Sequence, residues 1–292
     1  MNDDGNSRQG PTRRRRRLSD QETEQRMVDA ALAVVNRMGL TVSLEHISLE
    51  DVIREAGVSR SAVYRRWPYK DLFFSDLLRA LARATGPAEV PDARPSLEHI
   101  RSVVVDRPDL LRTEEGRHAL AVEMLRIGNL TDLAAMAEST AWRTYMALHA
   151  TYLSLDDGEL REEIGESLAE SERALVRKTA KTFAGYLDLM GYRVRPELDA
   201  DAETVAAVTM PLIRGAIIVA PALPQITAHK VHSSPFGSPG SAEWSPVAIA
   251  MASIALAYIE PDPDLEWDEA RVARVLLAFG ESAGVGAQTS QE

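Results

Sequence analysis

Residues 48–70 read SLEDVIREAGVSRSAVYRRWPYK, and the polar side chains there are of types that grip a polyanion. No acid falls between Glu55 and Asp71, whereas Arg60, Arg65, Arg66 and Lys70 all do, with Ser59, Ser61, Tyr64 and Tyr69 as further hydrogen-bond partners. A guanidinium presents a planar fork that matches the two acceptors on the major-groove edge of guanine, and each phosphate neutralised by a cation releases counterions. Arg60, Ser61 and Tyr64 are therefore candidates for contact with bases and backbone, Arg60 for the bidentate guanine contact. Ser48, Ser59, Arg65 and Lys70 are candidates for the phosphate contacts that set position.

The same stretch predicts the elements that must hold these groups. Ser48 can cap a short helix near Asp51, whose acid suits the positive end of the helix dipole. Leu49, Val52, Ile53 and Ala56 follow the spacing of one buried face, and Gly57 supplies the positive φ at which a helix stops. Ser59 can cap a second helix that turns Val58, Ala62, Val63 and Trp67 toward the first and ends at Pro68. Two short helices on a tight glycine turn have the shape of a helix-turn-helix, whose second member fits the major groove of DNA. An ordinary αα-corner with a solvated basic face is the alternative. Upstream, Ser19 and Glu22 form a capping box for a helix with Met27, Ala30, Ala31, Val34, Val35 and Met38 on one face, stopped by Gly39. Downstream, a helix from about Asp71 is predicted to turn Leu72, Phe73, Leu77, Leu78 and Leu81 inward. The first helix closes the back of the pair, making a three-helix unit.

Residues 56–73, AGVSRSAVYRRWPYKDLF, resemble the signature of TetR-type transcriptional regulators. In that family Ala-Gly-Val-Ser opens the recognition helix, a Tyr sits within it, an aromatic closes it and a Lys follows three residues later; here these are Ala56, Gly57, Val58, Ser59, Tyr64, Trp67 and Lys70. Trp67 stands where Phe is commoner. The resemblance covers residues 18–83 and is weak beyond them, and the link over 39–48 is several residues longer than usual.

The chain has 292 residues, no cysteine and a net charge of −11. An acidic balance argues against a nucleic-acid binder, but its distribution reverses that: residues 1–83 hold 15 Lys and Arg against 12 Asp and Glu, and the remainder 18 against 32. A slightly basic head on an acidic body presents one end to DNA. Without cysteine the fold stands on packing in a reducing compartment. No apolar run reaches the roughly 18–20 uninterrupted residues of a membrane span, and no signal-peptide pattern is present, so a cytoplasmic protein without a membrane partner is expected. Residues 1–17, ending in five arginines at 13–17, are predicted to be a disordered basic arm, either reaching a minor groove or merely solvated.

An all-α architecture is expected: the helix-turn-helix domain over 18–83, a larger helical domain over 84–282 for effector binding and dimerisation, and a frayed tail over 283–292. Residues 85–95 read as the connection between domains. Beyond it Ser96 caps one helix, Asp106 with Pro108 starts another, and further helices span 117–127, 130–155, 159–190 and 202–220, the last with Pro211 inside it. Residues 221–246 form one long loop. An almost wholly apolar helix follows over 247–259, then one from Asp268. A helix apolar on every face must be covered on all sides, by a second subunit or within a monomer core. The resemblance implies the former, a homodimer built on about 202–220 and 247–259.

Two aromatic and methionine stripes, Trp142, Tyr145, Met146 and His149 on one helix and Phe183, Tyr186, Leu187 and Met190 on another, together with Met124, are either core or the wall of an adaptable apolar pocket. The resemblance implies an effector cavity in this region. No catalytic motif is present: no phosphate-cradling glycine loop, nucleophile elbow or His-Glu metal helix. His229 and His232 are three apart but lack a nearby carboxylate, so no metal and no cofactor are expected. The residues point to a non-enzymatic DNA-binding protein, and the resemblance implies that it is a dimeric repressor released from a palindromic operator by a small molecule. The alternatives are a helical enzyme or an interaction scaffold.

Overall fold

Capping sets where the first helices begin and end. In the computed structural model, which describes residues 18–38, 47–84, 94–238 and 240–281, the Ser19 hydroxyl accepts the Glu22 N–H at 3.0 Å while the Glu22 carboxylate accepts the Ser19 N–H at 2.8 Å. This reciprocal pair opens α1 (Asp20–Met38). Ser48 caps α2 (Leu49–Ala56) through the Asp51 N–H at 3.3 Å, Gly57 ends it at φ 64°, and Ser59 caps α3 (Arg60–Arg66) through the Ala62 N–H at 3.3 Å. α4 (Lys70–Ala84) follows directly. Met27 and Val35 of α1, Val52 of α2, Val63 of α3, Trp67, and Phe73 and Leu77 of α4 are buried together. Trp67 meets Phe73 edge to face at 5.2 Å and donates its indole N–H to Asp76 at 2.9 Å. Two inward residues are corrected: Met38, the last residue of α1, is 67% exposed, and Leu72 is 48% exposed, while Phe74 is buried instead because it stands one turn before Leu78 on the inner face of α4. The arginine run at 13–17, the link at 39–46, residues 85–93 and the tail lie outside the described residues.

The rest is mostly helical: α5 (Arg94–Asp106), α6 (Glu114–Glu138), α7 (Thr140–Leu153), α8 (Glu159–Met190), α9 (Ala202–Val219), α10 (Gln225–Ala228), α11 (Pro246–Tyr258) and α12 (Glu269–Glu281). Three boundaries differ from expectation. α5 begins at Arg94, so Ser96 lies within its first turn rather than capping it. α6 continues unbroken through Gly128 and Asn129, where weak helix propensity is overridden by packing, and the chain breaks instead at Ser139, whose hydroxyl caps α7 through the Trp142 N–H. The 221–246 segment is more than a loop, for it holds α10 and a hairpin of β2 (Val231–Ser233) with β3 (Ala242–Trp244). A second antiparallel pair joins β1 (Tyr192–Val194) to β4 (Ile259–Pro261), with Tyr192 opposite Pro261 and Val194 opposite Ile259. Strands of three residues are too short to show an alternating pattern.

One apolar cluster runs without interruption from α1–α4 into α6–α9 and α11, joining Leu77 and Leu81 to Leu148, Ile164 and Ile213. Arg79 of α4 also pairs with Glu163 of α8. A second cluster packs α5, α6, α8 and α12 around Leu120, Leu187 and Val275. α9 buries Val205, Ala206, Met210, Ile213 and Ala216 but leaves Ala207, Val208, Pro211, Gly215, Ile218 and Val219 exposed on the opposite face. By length and composition α9 would pass for a membrane span, yet it carries Glu203 and Arg214, and Arg214 pairs with Glu172 of α8. α11 is covered on one side, through Val247, Ala248, Met251, Ala252 and Ala255, and exposed at Ser253 and Ala257.

Candidate nucleic-acid interface

α3 has two unlike sides. Val63 is fully buried and Trp67 nearly so, which anchors the helix on α1 and α4. Arg60, Ser61, Tyr64 and Arg65 are exposed, the Arg60 side chain by 72% and Tyr64 by 47%. A helix this short is marginal alone. It is held by its Ser59 cap and by those two apolar anchors, so its outer side chains sit on a fixed base.

The outer side chains are not bare. Glu50, in the first turn of α2, takes the Arg60 guanidinium at 2.6 Å and accepts the Tyr64 hydroxyl at 3.3 Å. Arg65 pairs with Asp20 of α1, and Arg66 with Glu24 at 3.0 Å and Asp76 at 3.4 Å. Ser59 and Ser61 hydroxyls lie 3.3 Å apart, and Lys70 places its ammonium 4.8 Å from the Phe74 ring centroid. Ser48 spends its hydroxyl on the α2 cap. The acid-free interval between Glu55 and Asp71 is thus edged by acids from α1, α2 and α4, which no local pattern announces. Exposed ion pairs of this kind contribute about 0–1 kcal/mol each, so phosphates or base edges can displace them. What remains is a guanidinium fork, two hydroxyls and a phenol on one rigid face, a set able to read bases and hold phosphates.

The eight candidate pocket residues divide. Met124, Phe183, Tyr186 and Met190 line one cavity of about 140 Å³ between α6 and α8, closed by Ile100, Tyr192 and Ile259. Sequence reasoning missed Asn129 and Asp132, which bring polar groups to the same cavity from α6; a break expected near residue 128 hid their alignment with Met124. The Asn129 amide nitrogen is buried with no hydrogen-bond partner. Burial, then the Asp132 charge, raises Tyr186 above the usual phenol range, and burial pushes Tyr192 up to about 12. The Tyr192 hydroxyl lies 3.1 Å from His118 Nδ1.

Trp142, Tyr145 and His149 do not reach that cavity. They surround a carboxylate: Glu172 accepts the Tyr145 hydroxyl at 2.6 Å and both terminal nitrogens of Arg214 at 2.6 and 2.7 Å, with His149 Nε2 at 3.0 Å. Trp142 packs edge to face on Tyr145 at 5.7 Å, 5.9 Å from the Arg214 guanidinium. Burial works to raise the Glu172 pKa, but the close approach of His149 and the hydrogen bonds from Arg214 and Tyr145 outweigh it and hold the carboxyl at about 2. Met146 lines a separate, wider groove of about 650 Å³ beside Arg143 and Lys230. Among the described residues no group of three or more His, Asp or Glu is placed to hold a metal ion. No protein-family model matches this chain, and no curated protein matches it.

Proposed function

We propose that this chain is a DNA-binding transcriptional regulator of the TetR type, in which α2 and α3 form a helix-turn-helix within residues 18–83 and residues 84–282 bind an effector and dimerise. The observation that carries the reading is the two-sided α3: exposed Arg60, Ser61 and Tyr64 on a short helix pinned from behind by Val63 and Trp67. Arg60 reads guanine, Ser61 and Tyr64 contact bases and backbone, and Ser48, Ser59, Arg65 and Lys70 hold phosphates. A two-fold homodimer is supported by the apolar stripe of α9, beside which α11 lies with its own partly exposed face. Such a dimer sets two α3 helices against successive major grooves, about 34 Å apart. An effector in the larger part favours a different separation of the two heads and releases the operator, which makes the protein a cytoplasmic repressor. The cavity bounded by Met124, Phe183, Tyr186 and Met190 is the effector site.

Selection of bound fragments from random duplex DNA tests this. The expected product is an inverted repeat with half-sites one helical turn or a multiple apart, and Arg60→Ala with Tyr64→Ala weakens its binding by about tenfold to a hundredfold for each base edge no longer read. A chain that ignores DNA even at low salt, where phosphate contacts are strongest, is instead a scaffold or an enzyme.

A further inference from the structure

The cavity between α6 and α8 has a size and a chemistry. Its volume of about 140 Å³ is close to that of an engineered apolar cavity of about 150 Å³ known to accept benzene. Ile100, Met124, Phe183, Leu187, Met190 and Ile259 supply apolar, sulfur and aromatic surface suited to one ring. Its polar groups are few. The buried Asn129 amide nitrogen needs an acceptor, since a buried donor left unpaired costs more than an ordinary hydrogen bond contributes. Asp132 sits one turn further along α6 on the same wall. The carboxylate disfavours an anionic guest and accepts from a donor.

We propose that this cavity binds an uncharged, single-ring phenol, whose oxygen accepts from the Asn129 amide and whose hydroxyl hydrogen goes to Asp132. A carboxylated ring is repelled, and a plain hydrocarbon leaves the Asn129 donor unanswered. The regulatory consequence rests on the proposed function: Ile100 belongs to α5, the first helix after the α4 that closes the N-terminal unit, so a guest touches the element leading to the DNA-facing end. Binding itself does not rest on it.

Calorimetric titration of the full chain without DNA decides the matter, using 4-methylphenol, toluene and 4-methylbenzoate. The expected order is 4-methylphenol at least about tenfold tighter than toluene, the worth of one good hydrogen bond, with no heat from 4-methylbenzoate. Asn129→Leu is expected to bring 4-methylphenol down to the strength of toluene and leave toluene unchanged. A Cβ on Gly128 meets no atom within 4 Å, so Gly128→Leu fills the cavity and abolishes both, with helical circular dichroism retained. Toluene binding as tightly as 4-methylphenol, 4-methylbenzoate binding tighter than either, or the absence of binding by all three overturns the proposal whatever the variants do. Because the titration contains no DNA, its failure counts against the ligand class, whereas failure to select an operator counts against the regulator.

Discussion

Glu172 shows how one side chain organises several others. Its oxygens hold Tyr145 of α7 and Arg214 of α9, so a carboxylate on α8 ties three helices together. The pair is partly exposed, 27% at Glu172 and 17% at Arg214, so removing the charge costs less than breaking a fully buried pair, roughly 2 kcal/mol. The pH dependence follows from the sign of the shift. The folded pKa of about 2 lies below the ordinary 4.5, so the contribution is complete above pH 4.5 and is lost as pH falls toward 2. Protonated Glu172 resembles glutamine. Glu172→Gln is therefore expected to lower the urea midpoint at pH 7, and the gap to the wild type should shrink at pH 4 and again at pH 3; a gap that is constant with pH contradicts the assignment. At the other end, Glu50 holds Arg60 and Tyr64 by exposed contacts. Under the proposed function DNA replaces Glu50 as their partner.

Among the helices, stops and caps govern more than propensity does. Gly57 sits at φ 64° and a Cβ there meets nothing within 4 Å, whereas a Cβ on Gly116 would overlap the Leu110 carbonyl oxygen, where α6 starts against the preceding turn. The two glycines are required for different reasons, backbone conformation and close approach. Gly57→Ala is expected to cost about 1 kcal/mol from the left-handed backbone alone, and Gly116→Ala about 3 kcal/mol because backbone cannot swing aside. Urea unfolding of both variants checks the order, and equal losses refute it. The helices with polar caps, α1, α2, α3 and α12, were legible from residue order, as was α8, which runs between Gly158 and Gly191. Those bounded by tertiary contact were not. α6 runs past Gly128 because Leu120, Met124 and Ile127 before it and Leu133 and Met136 after it are all buried against neighbours.

Over the full sequence, charge is unevenly divided along the chain. Residues 1–83 carry a cationic surplus that comes from the arginines before residue 18, the rest carries the acidic one, and the apolar stripe of α9 belongs to the acidic part. Ile218 is 63% exposed and Val208 40%, a face that a second copy covers under the proposed function. Ile218→Glu would bury a charge at that contact, so the wild type is expected to have a dimeric mass by light scattering at micromolar concentration and the variant a monomeric one, with unchanged helical content. A wild type that is monomeric there removes the dimer. The continuous apolar cluster from Leu77 to Ile213 packs α4 against α8, so under the proposed function a shift of α8 around a guest would carry α4 with it.

Residue order alone dictates the capped helices, the glycine turn at 57, the apolar anchors of α3 and the cationic composition of its outer face, because these depend on groups within four residues of one another. The packed fold was needed to learn which acids meet those cations, that Met124 and Met190 share a cavity while Trp142 and His149 surround Glu172, and that residues 231–244 make a hairpin. Most of these join side chains separated by tens of residues, and such pairings are set by the packing of whole helices.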